Sequence, residues 1–396
     1  MNERIIDCIK TVKMNDYLNN LPTDTKDIDI SRRQIIIFPQ ELVLKFTHLK
    51  VLSCSGNQLT SLPPLNMFDS LEELYCSNNR LTSLPPLNDS LIILNCSSNR
   101  LTSLPLLNDS LIKLFCSNNQ LTTLPHLPSS LQSLYCHYNQ LSSLPILNDS
   151  LSSLSCSYNL LTSLPLLKAS LESLYCTHNQ LTCLPPLLNC SLQELYCNNN
   201  NLTLLPPLND SLIYLNCSNN PLMVLPQLPS FLETLYCSNS QLTVLPHLPP
   251  SLRILYCYNN KLTSLPLLKA SLQELYCYNN KLTSLPPLNP SLIDLYCHNN
   301  ELILLPHIHD SLQFFYWNNN PIHHLLNGNR ENIHTFNHFR EYYFLSRLNK
   351  KFISWMWKSR EERIKEQFHY KHLIRFMEES DDNVDLDPFL ENFIKK

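Results

Sequence analysis

Sixteen cysteines occur in this 396-residue chain, and thirteen of them recur at intervals of about 20 residues. They are Cys54, Cys76, Cys96, Cys116, Cys136, Cys156, Cys176, Cys197, Cys217, Cys237, Cys257, Cys277 and Cys297. Cysteine can bind metals or carry redox chemistry, but such sites need sulfurs at ligand spacing, as in Cys-x-x-Cys. A single sulfur per repeat lacks that spacing. We therefore interpret the thirteen as small apolar core residues.

Two further cysteines leave one local alternative open. Cys183 and Cys190 lie between Cys176 and Cys197, so that four cysteines follow one another at intervals of seven residues. The repeat that contains them is irregular in length. A local metal or redox site at these four cysteines therefore remains an alternative to a purely structural role.

The cysteines belong to a repeated phrase, L-x-x-L-x-C-x-x-N-x-L-x-x-L-P-x-L-x-x-S, whose positions we number from its leading leucine. Eleven repeats have 20 residues, the first has 22 and the one from Leu171 has 21; a partial repeat starts at Leu312. The thirteen full repeats begin at Leu49, Leu71, Leu91, Leu111, Leu131, Leu151, Leu171, Leu192, Leu212, Leu232, Leu252, Leu272 and Leu292.

The phrase predicts the local structure of each repeat. Alternation at positions 4 to 6 is typical of a strand with leucine and cysteine inward and the intervening residue outward, so stacked repeats would form a parallel sheet. Asparagine at position 9 can satisfy backbone groups at the bend, and Ser240 at this position should leave a weak point. Proline at position 15 disfavours helix, which predicts an extended or polyproline outer side.

This phrase is the leucine-rich repeat pattern with cysteine in one apolar position. Its short length and its Leu-Pro pair resemble the bacterial-type repeats of the YopM and IpaH effectors. The use of cysteine at position 6 with asparagine at position 9 also resembles leucine-rich repeat proteins of giant DNA viruses. The resemblance implies an effector-like protein with a β-rich solenoid fold: a slab with a parallel inner sheet, an extended outer side and helical caps at both ends. The catalytic domain of the IpaH family is not implied, because no cysteine follows Cys297.

Three segments are predicted. Residues 1–48 would form an N-terminal helix and a degenerate capping repeat, because a solenoid must cover its terminal turns. Residues 49–326 would form the solenoid. Residues 327–396 show helical spacing of apolar residues, including Phe336, Phe339 and Tyr343, and would form a helical C-terminal cap or docking module.

Composition excludes several classes of function. With two glycines, Gly56 and Gly328, the chain has no phosphate-binding loop. No catalytic motif or cofactor site is recognisable, and we predict a non-enzymatic protein without a cofactor.

The N-terminus does not resemble a signal peptide, and no apolar run is long enough for a membrane span. We therefore expect an intracellular protein with reduced cysteines, in the host cytoplasm if the chain is viral.

The candidate binding residues lie at position 5, which should project from the concave sheet face. Nine of its fourteen residues are tyrosines: Tyr75, Tyr135, Tyr175, Tyr196, Tyr236, Tyr256, Tyr276, Tyr296 and Tyr316. Serine and asparagine surround them, a composition typical of protein-binding surfaces. We therefore predict a monomeric scaffold that binds a protein partner.

Three alternatives accompany this prediction. Tyrosine suits strands, so copying of one repeat could have spread it without selection for binding. The terminal helices could dock a ubiquitin-type ligase while the repeats choose its substrate. Single-stranded nucleic acid could stack on the tyrosines, but 9 Lys or Arg against 14 Asp or Glu across residues 49–311 disfavour a polyanion.

Overall fold

A computed structural model describes residues 16–68 and 70–325 of the chain. The chain divides into two compact units, Met1–Asn260 and Lys261–Lys396. The predicted segment 327–396, and residues 1–15 of the predicted N-terminal helix, lie outside the described residues, so the division at residues 48 and 326 stays a prediction. Residues 16–19 are helical.

Besides the helical residues 16–19, the described part of the first unit contains twelve strands, one short α-helix and one 3-10 turn. In chain order these are β1 Asp27–Asp29, α1 Gln40–Lys45, β2 Val51–Ser53, the 3-10 turn Leu65–Met67, β3 Glu73–Tyr75, β4 Ile93–Asn95, β5 Lys113–Phe115, β6 Ser133–Tyr135, β7 Ser153–Ser155, β8 Ser173–Tyr175, β9 Glu194–Tyr196, β10 Tyr214–Asn216, β11 Thr234–Tyr236 and β12 Ile254–Tyr256. In the second unit, the described elements are β13 Glu274–Tyr276, β14 Asp294–Tyr296, β15 Phe314–Tyr316 and α2 Pro321–Leu325.

Within each unit, every strand pairs in parallel with the next strand of the chain. In the first unit the register aligns equivalent repeat positions, as in Leu94 with Leu114 and Leu195 with Leu215. The second unit shows the same pairing of Leu275 with Leu295. The middle residue of these strands, at position 4, is buried. The cysteine at position 6 is buried on the same side of the sheet, as the alternation predicts. The prediction of a leucine-rich repeat β-solenoid with a parallel sheet is therefore confirmed.

The outer segments follow the prediction made from proline. From residue 71 to residue 311, all of which the structure describes, the regular elements are strands and no helix occurs. The 3-10 turn Leu65–Met67 lies in the first repeat, which has 22 residues, two more than the regular 20-residue repeats. Helical caps at both ends of the solenoid stay a prediction.

Asparagine at position 9 joins successive turns through its side chain. Asn99 Nδ2 donates to the carbonyl oxygens of Cys96, in its own turn, and of Cys76, in the preceding turn, each at 3.0 Å. Its Oδ1 accepts a hydrogen bond from Leu81 N–H of the preceding turn at 3.0 Å. One amide thus satisfies backbone groups of two turns that the bend would leave unpaired.

We call the series of hydrogen bonds made by asparagine at position 9 the asparagine ladder, and each member of it a bridge. Serine at position 9 interrupts the ladder once in the described solenoid. Ser240 Oγ contacts the carbonyl oxygen of Ser238 at 3.4 Å, within its own turn. The neighbouring turns keep the bridge, since Leu202 N–H donates to Asn220 and Leu242 N–H donates to Asn260, both at 3.0 Å. Leu222 N–H has no corresponding Oδ1 acceptor among the described residues. The weak point predicted from sequence at Ser240 thus coincides with a turn that lacks the asparagine hydrogen bonds.

The outer segments are also tied to one another, through residues near the end of the repeat. Asn108 Nδ2 donates to the carbonyl oxygens of Asp89 and Leu91 at 3.0 and 2.8 Å. Ser130 Oγ donates to the Leu111 carbonyl oxygen at 2.7 Å. These bonds give asparagine at position 18 and serine at position 20 of the repeat a structural role that the sequence alone did not indicate.

The last described turn of the second unit departs from the repeat at position 6. Trp317 replaces cysteine there and is 5% exposed. Its indole lies parallel to the Phe315 ring at 5.9 Å and meets the His323 imidazole edge-on at 4.7 Å. The larger side chain fills a turn whose neighbour along the chain is the helix α2.

We predict that Ser240→Asn stabilises the protein. The amide would supply Leu222 N–H with an acceptor and bond the carbonyls of Cys217 and Cys237, and each new bond contributes about 1 kcal/mol. Thermal unfolding should show a rise in Tm. As a control, Asn201→Ser removes an exposed amide and should leave Tm unchanged. A lower or equal Tm for Ser240→Asn would contradict a structural role for the ladder.

Candidate protein interaction face

The predicted tyrosines stand on the outward side of the sheet. Each is the last residue of a three-residue strand, so it points away from the buried leucine before it. In the first unit they are half-buried, and they form what we call the tyrosine column: Tyr75, Tyr135, Tyr175, Tyr196, Tyr236 and Tyr256. In the second unit, Tyr276 and Tyr296 are half-buried and Tyr316 is 47% exposed.

Strand spacing makes neighbouring rings of the column stack. The ring centroids of Tyr175 and Tyr196 lie 4.7 Å apart with an interplanar angle of 21°, and those of Tyr236 and Tyr256 lie 4.6 Å apart at 32°. These separations match the roughly 4.8 Å between paired strands. The stacked faces cover one another, so the ring edges and hydroxyls remain for contact with a partner.

The second unit has the same arrangement. Tyr296 lies between Tyr276 and Tyr316, at centroid distances of 4.2 and 4.6 Å. On a parallel row, Tyr278 stacks on His298 at 4.5 Å with an interplanar angle of 9°. Stacking on the outward face is therefore a property of the repeat in both units.

Tyr214 belongs to the column of the first unit, although sequence analysis missed it. It occupies position 3, where Asn216 takes the usual tyrosine position. Its ring stacks on Tyr196 at 4.4 Å and meets Tyr236 edge-on at 5.4 Å. The signal was present in the sequence, because positions 3 and 5 of a strand face the same side.

Carboxylates at position 3 bind some of these tyrosines, a second feature that sequence analysis missed. Tyr75 Oη donates to Glu73 Oε2 at 2.7 Å, and Tyr175 Oη donates to Glu194 Oε2. Burial, followed by the hydrogen bond to Glu73, raises the pKa of Tyr75 to about 12. Burial and Glu194 likewise raise the pKa of Tyr175. Both phenols therefore stay neutral hydrogen-bond donors at physiological pH.

The cysteines lie on the opposite side of the sheet from the tyrosines. All thirteen at position 6 are buried with 0% exposure, and all are free thiols. Burial raises the pKa of Cys54 and of Cys96 to about 12, and it raises the pKa of Cys116 well above its ordinary value. A protonated thiol out of reach of solvent is a poor nucleophile and a poor metal ligand.

The structure does not gather the four cysteines spaced seven residues apart into one cluster. Cys176 and Cys197 belong to the buried row, Cys190 is buried at 7% exposure, and Cys183 is exposed. Among the described residues, no group of three or more His, Cys, Asp or Glu side chains could hold a metal ion. The described part of the chain also contains no helix long and apolar enough to cross a bilayer.

Comparisons with known proteins agree with this architecture. The family model for Leucine Rich repeats (2 copies) matches residues 47–89 and 250–290. YopM, a leucine-rich effector protein from Yersinia pestis, is 36% identical, with a TM-score of 0.65 over 75% of this chain and 84% of YopM. A search of curated proteins gave no match. The chain belongs to the leucine-rich repeat family.

Two further solved structures show the bacterial type of these repeats. A leucine-rich repeat protein of Leptospira interrogans is 26% identical, with a TM-score of 0.63 over 79% of this chain and 97% of that one. The functional domain of InlJ from Listeria monocytogenes, which includes a cysteine ladder, is 29% identical, with a TM-score of 0.60 over 70% of this chain and 64% of that one. Leucine-rich repeat proteins are in general non-enzymatic scaffolds for protein interactions. The likeness to giant-virus proteins stays a prediction from sequence.

Alkaline pH should unfold the protein cooperatively. Folding raises the thiol pKa from 9.0 to about 12 at Cys54, Cys156 and Cys217, so the stabilisation is complete below pH 9 and is lost as pH rises toward 12. Each such thiol lowers the free energy of unfolding by about 1.4 kcal/mol per pH unit in that window.

The measurement is Tm against pH from 7 to 11 in the presence of reductant. A constant Tm up to pH 9 followed by a steep fall is expected, with refolding on return to pH 7. If Tm stays constant to pH 11, the cysteines are not buried in the folded protein.

Proposed function

We propose that this protein is a non-enzymatic scaffold that binds a protein partner on the outward face of its sheet, with the tyrosine column as the main contact. The observation that carries the proposal is the composition of this face: tyrosine hydroxyls and ring edges presented in successive strands among serine and asparagine. Tyrosine supplies a large contact area at low entropic cost, and a phenol oxygen whose proton is donated to a carboxylate can still accept a hydrogen bond from a partner.

Rigidity supports the same function. The rings are held by stacking on their neighbours, and Tyr75 and Tyr175 are also held by carboxylates. Side chains that are ordered before binding lose less entropy in the complex, which favours affinity. The bacterial effector YopM, with 36% identity, is a relative with the same architecture.

The stacking geometry disfavours the alternative of single-stranded nucleic acid. A nucleobase needs an open ring face, whereas Tyr196 lies between Tyr175 and Tyr214 at 4.7 and 4.4 Å. Acidic side chains such as Glu73 and Glu194 also lie on this face and would repel phosphates. Binding that weakened steeply with added salt would instead favour nucleic acid.

The remaining hypotheses concern other features. A role as a substrate adaptor for a ubiquitin-type ligase would use the terminal segments, most of which lie outside the described residues. An intracellular location is supported by the free thiols of the described cysteines, which persist in a reducing compartment. An origin in a giant virus rests on the sequence resemblance alone.

The proposal is tested by replacing Tyr175, Tyr196, Tyr236 and Tyr256 together with serine. A partner is first captured from the native cell with the full chain, identified by mass spectrometry and purified. We expect the variant to bind this purified protein at least about 30-fold more weakly, because central tyrosines dominate such interfaces.

The matched control removes three exposed apolar side chains from the outer segments, Leu106→Ser, Ile146→Ser and Leu166→Ser. These are 83%, 78% and 71% exposed and do not lie on the sheet face. The control should bind like the wild type. If the tyrosine variant keeps its Tm and its affinity while the control loses affinity, the partner binds the outer side and the proposal is wrong.

A further inference from the structure

Position 8 of the repeat has a left-handed backbone conformation throughout the described turns. Its φ angle is 53° at Asn78, 55° at Asn118 and 53° at Asn239, and it is 68° at Gly56. Glycine, asparagine and similar small polar residues adopt this conformation readily, whereas bulky residues do so rarely. Most turns carry such a small residue at position 8.

Three successive turns break this rule. Tyr138, Tyr158 and His178 occupy position 8 with φ angles of 53°, 54° and 52°. Tyrosine is rare at a left-handed position, whereas histidine is tolerated better, and unfavourable backbone conformations concentrate at functional sites. The solenoid itself does not require them, since asparagine serves in the same place in neighbouring turns.

The three rings form an exposed stack, which we call the aromatic ridge. The centroids of Tyr138 and Tyr158 lie 4.2 Å apart at an interplanar angle of 13°, and those of Tyr158 and His178 lie 4.0 Å apart at 10°. Tyr138 is 47% exposed and Tyr158 is 38% exposed, and His178 is also exposed. Leu160, two residues after Tyr158, is 48% exposed and extends the apolar surface.

The surroundings of the ridge are polar but almost uncharged. Across residues 132–140, 152–160 and 172–180 the sole Asp, Glu, Lys or Arg is Glu172. His137 packs edge-on against Tyr138 at 5.8 Å, and its Nδ1 lies 2.9 Å from Ser117 Oγ and 3.2 Å from Ser155 Oγ. A partner with a strong charge would gain little here, whereas an apolar side chain would cover exposed ring and leucine surface.

We propose that the aromatic ridge is a second anchor point, distinct from the tyrosine column, for a protein segment that presents uncharged apolar side chains. This inference rests on the proposed function in that it takes the chain to be a protein-binding scaffold. Aromatic residues in a neutral patch are the usual centres of protein interfaces, and their unfavourable backbone conformation is retained because the rings serve binding.

The test uses the variant Tyr138→Asn, Tyr158→Asn, His178→Asn. Asparagine is the residue that other turns carry at this φ, so the variant should unfold at the same or a higher temperature than the wild type. A merely structural role for the rings would lower Tm instead. This readout separates binding from folding before any ligand is used.

The binding probe is a phage-displayed library of random 12-residue peptides, selected on the full-length protein. We expect selected peptides to be uncharged and rich in leucine, phenylalanine or methionine, and to bind the asparagine variant about tenfold or more weakly. They should bind the outer-segment control Leu106→Ser, Ile146→Ser, Leu166→Ser within about twofold of the wild type. Tyr138→Phe, Tyr158→Phe should retain binding, because the rings remain.

Other outcomes overturn the inference. The inference is wrong if the selected peptides bind the asparagine variant as tightly as the wild type. It is also wrong if the peptides are dominated by Lys, Arg, Asp or Glu, or if selection on the wild type enriches no peptide relative to selection on the asparagine variant. Peptides lost only in the tyrosine-column variant would reject the ridge and leave the proposed function standing.

Discussion

The asparagine side chain at position 9 is the interaction on which the rest of each unit depends. Asn99 illustrates it: one amide accepts from Leu81 N–H and donates to the carbonyls of Cys76 and Cys96. These groups belong to two successive turns and lie at the bend, where the strand ends and the backbone would otherwise be unpaired inside the protein. Because an unpaired buried group is costly, the bridge fixes both the bend and the spacing between turns.

A fixed spacing between turns gives the two sides of the sheet opposite characters. On the buried face of the sheet it aligns leucine and cysteine into rows whose thiols stay protonated. On the exposed face of the sheet it brings the rings of Tyr175, Tyr196 and Tyr214 to centroid distances of 4.7 and 4.4 Å, so that they stack. The same constraint that hides the sulfur atoms thus orders the rings before any partner binds.

Most of this architecture was predictable from sequence, because the same residue type recurs at the same position in many repeats. The buried cysteines, the bend at asparagine and the weak point at Ser240 all follow from residue type at a fixed position. Tyr214 was not predicted because it occupies position 3, whereas the tyrosine pattern of the repeat is at position 5, although both positions lie on the same face. The bond from Tyr175 to Glu194 was missed for another reason: it joins different turns, and a single repeat does not reveal it.

The left-handed backbone at position 8 shows what a repeat pattern hides. Tyr138 and Tyr158 occupy position 8, three residues after the tyrosine position of the strand, and residue type alone does not reveal the positive φ angles at which they are held. The apolar periodicity of residues 327–396 predicts helices, but periodicity alone does not specify a binding partner.

Hydrogen exchange at the position 11 amides tests the ladder most directly. Residue-resolved exchange by NMR should show slow exchange for Leu202 and Leu242, whose N–H groups donate to Asn220 and Asn260. Leu222 N–H, opposite Ser240, should exchange at least about tenfold faster, which corresponds to the loss of roughly one hydrogen bond. Equal protection at all three leucines would mean that asparagine does not hold the turns together.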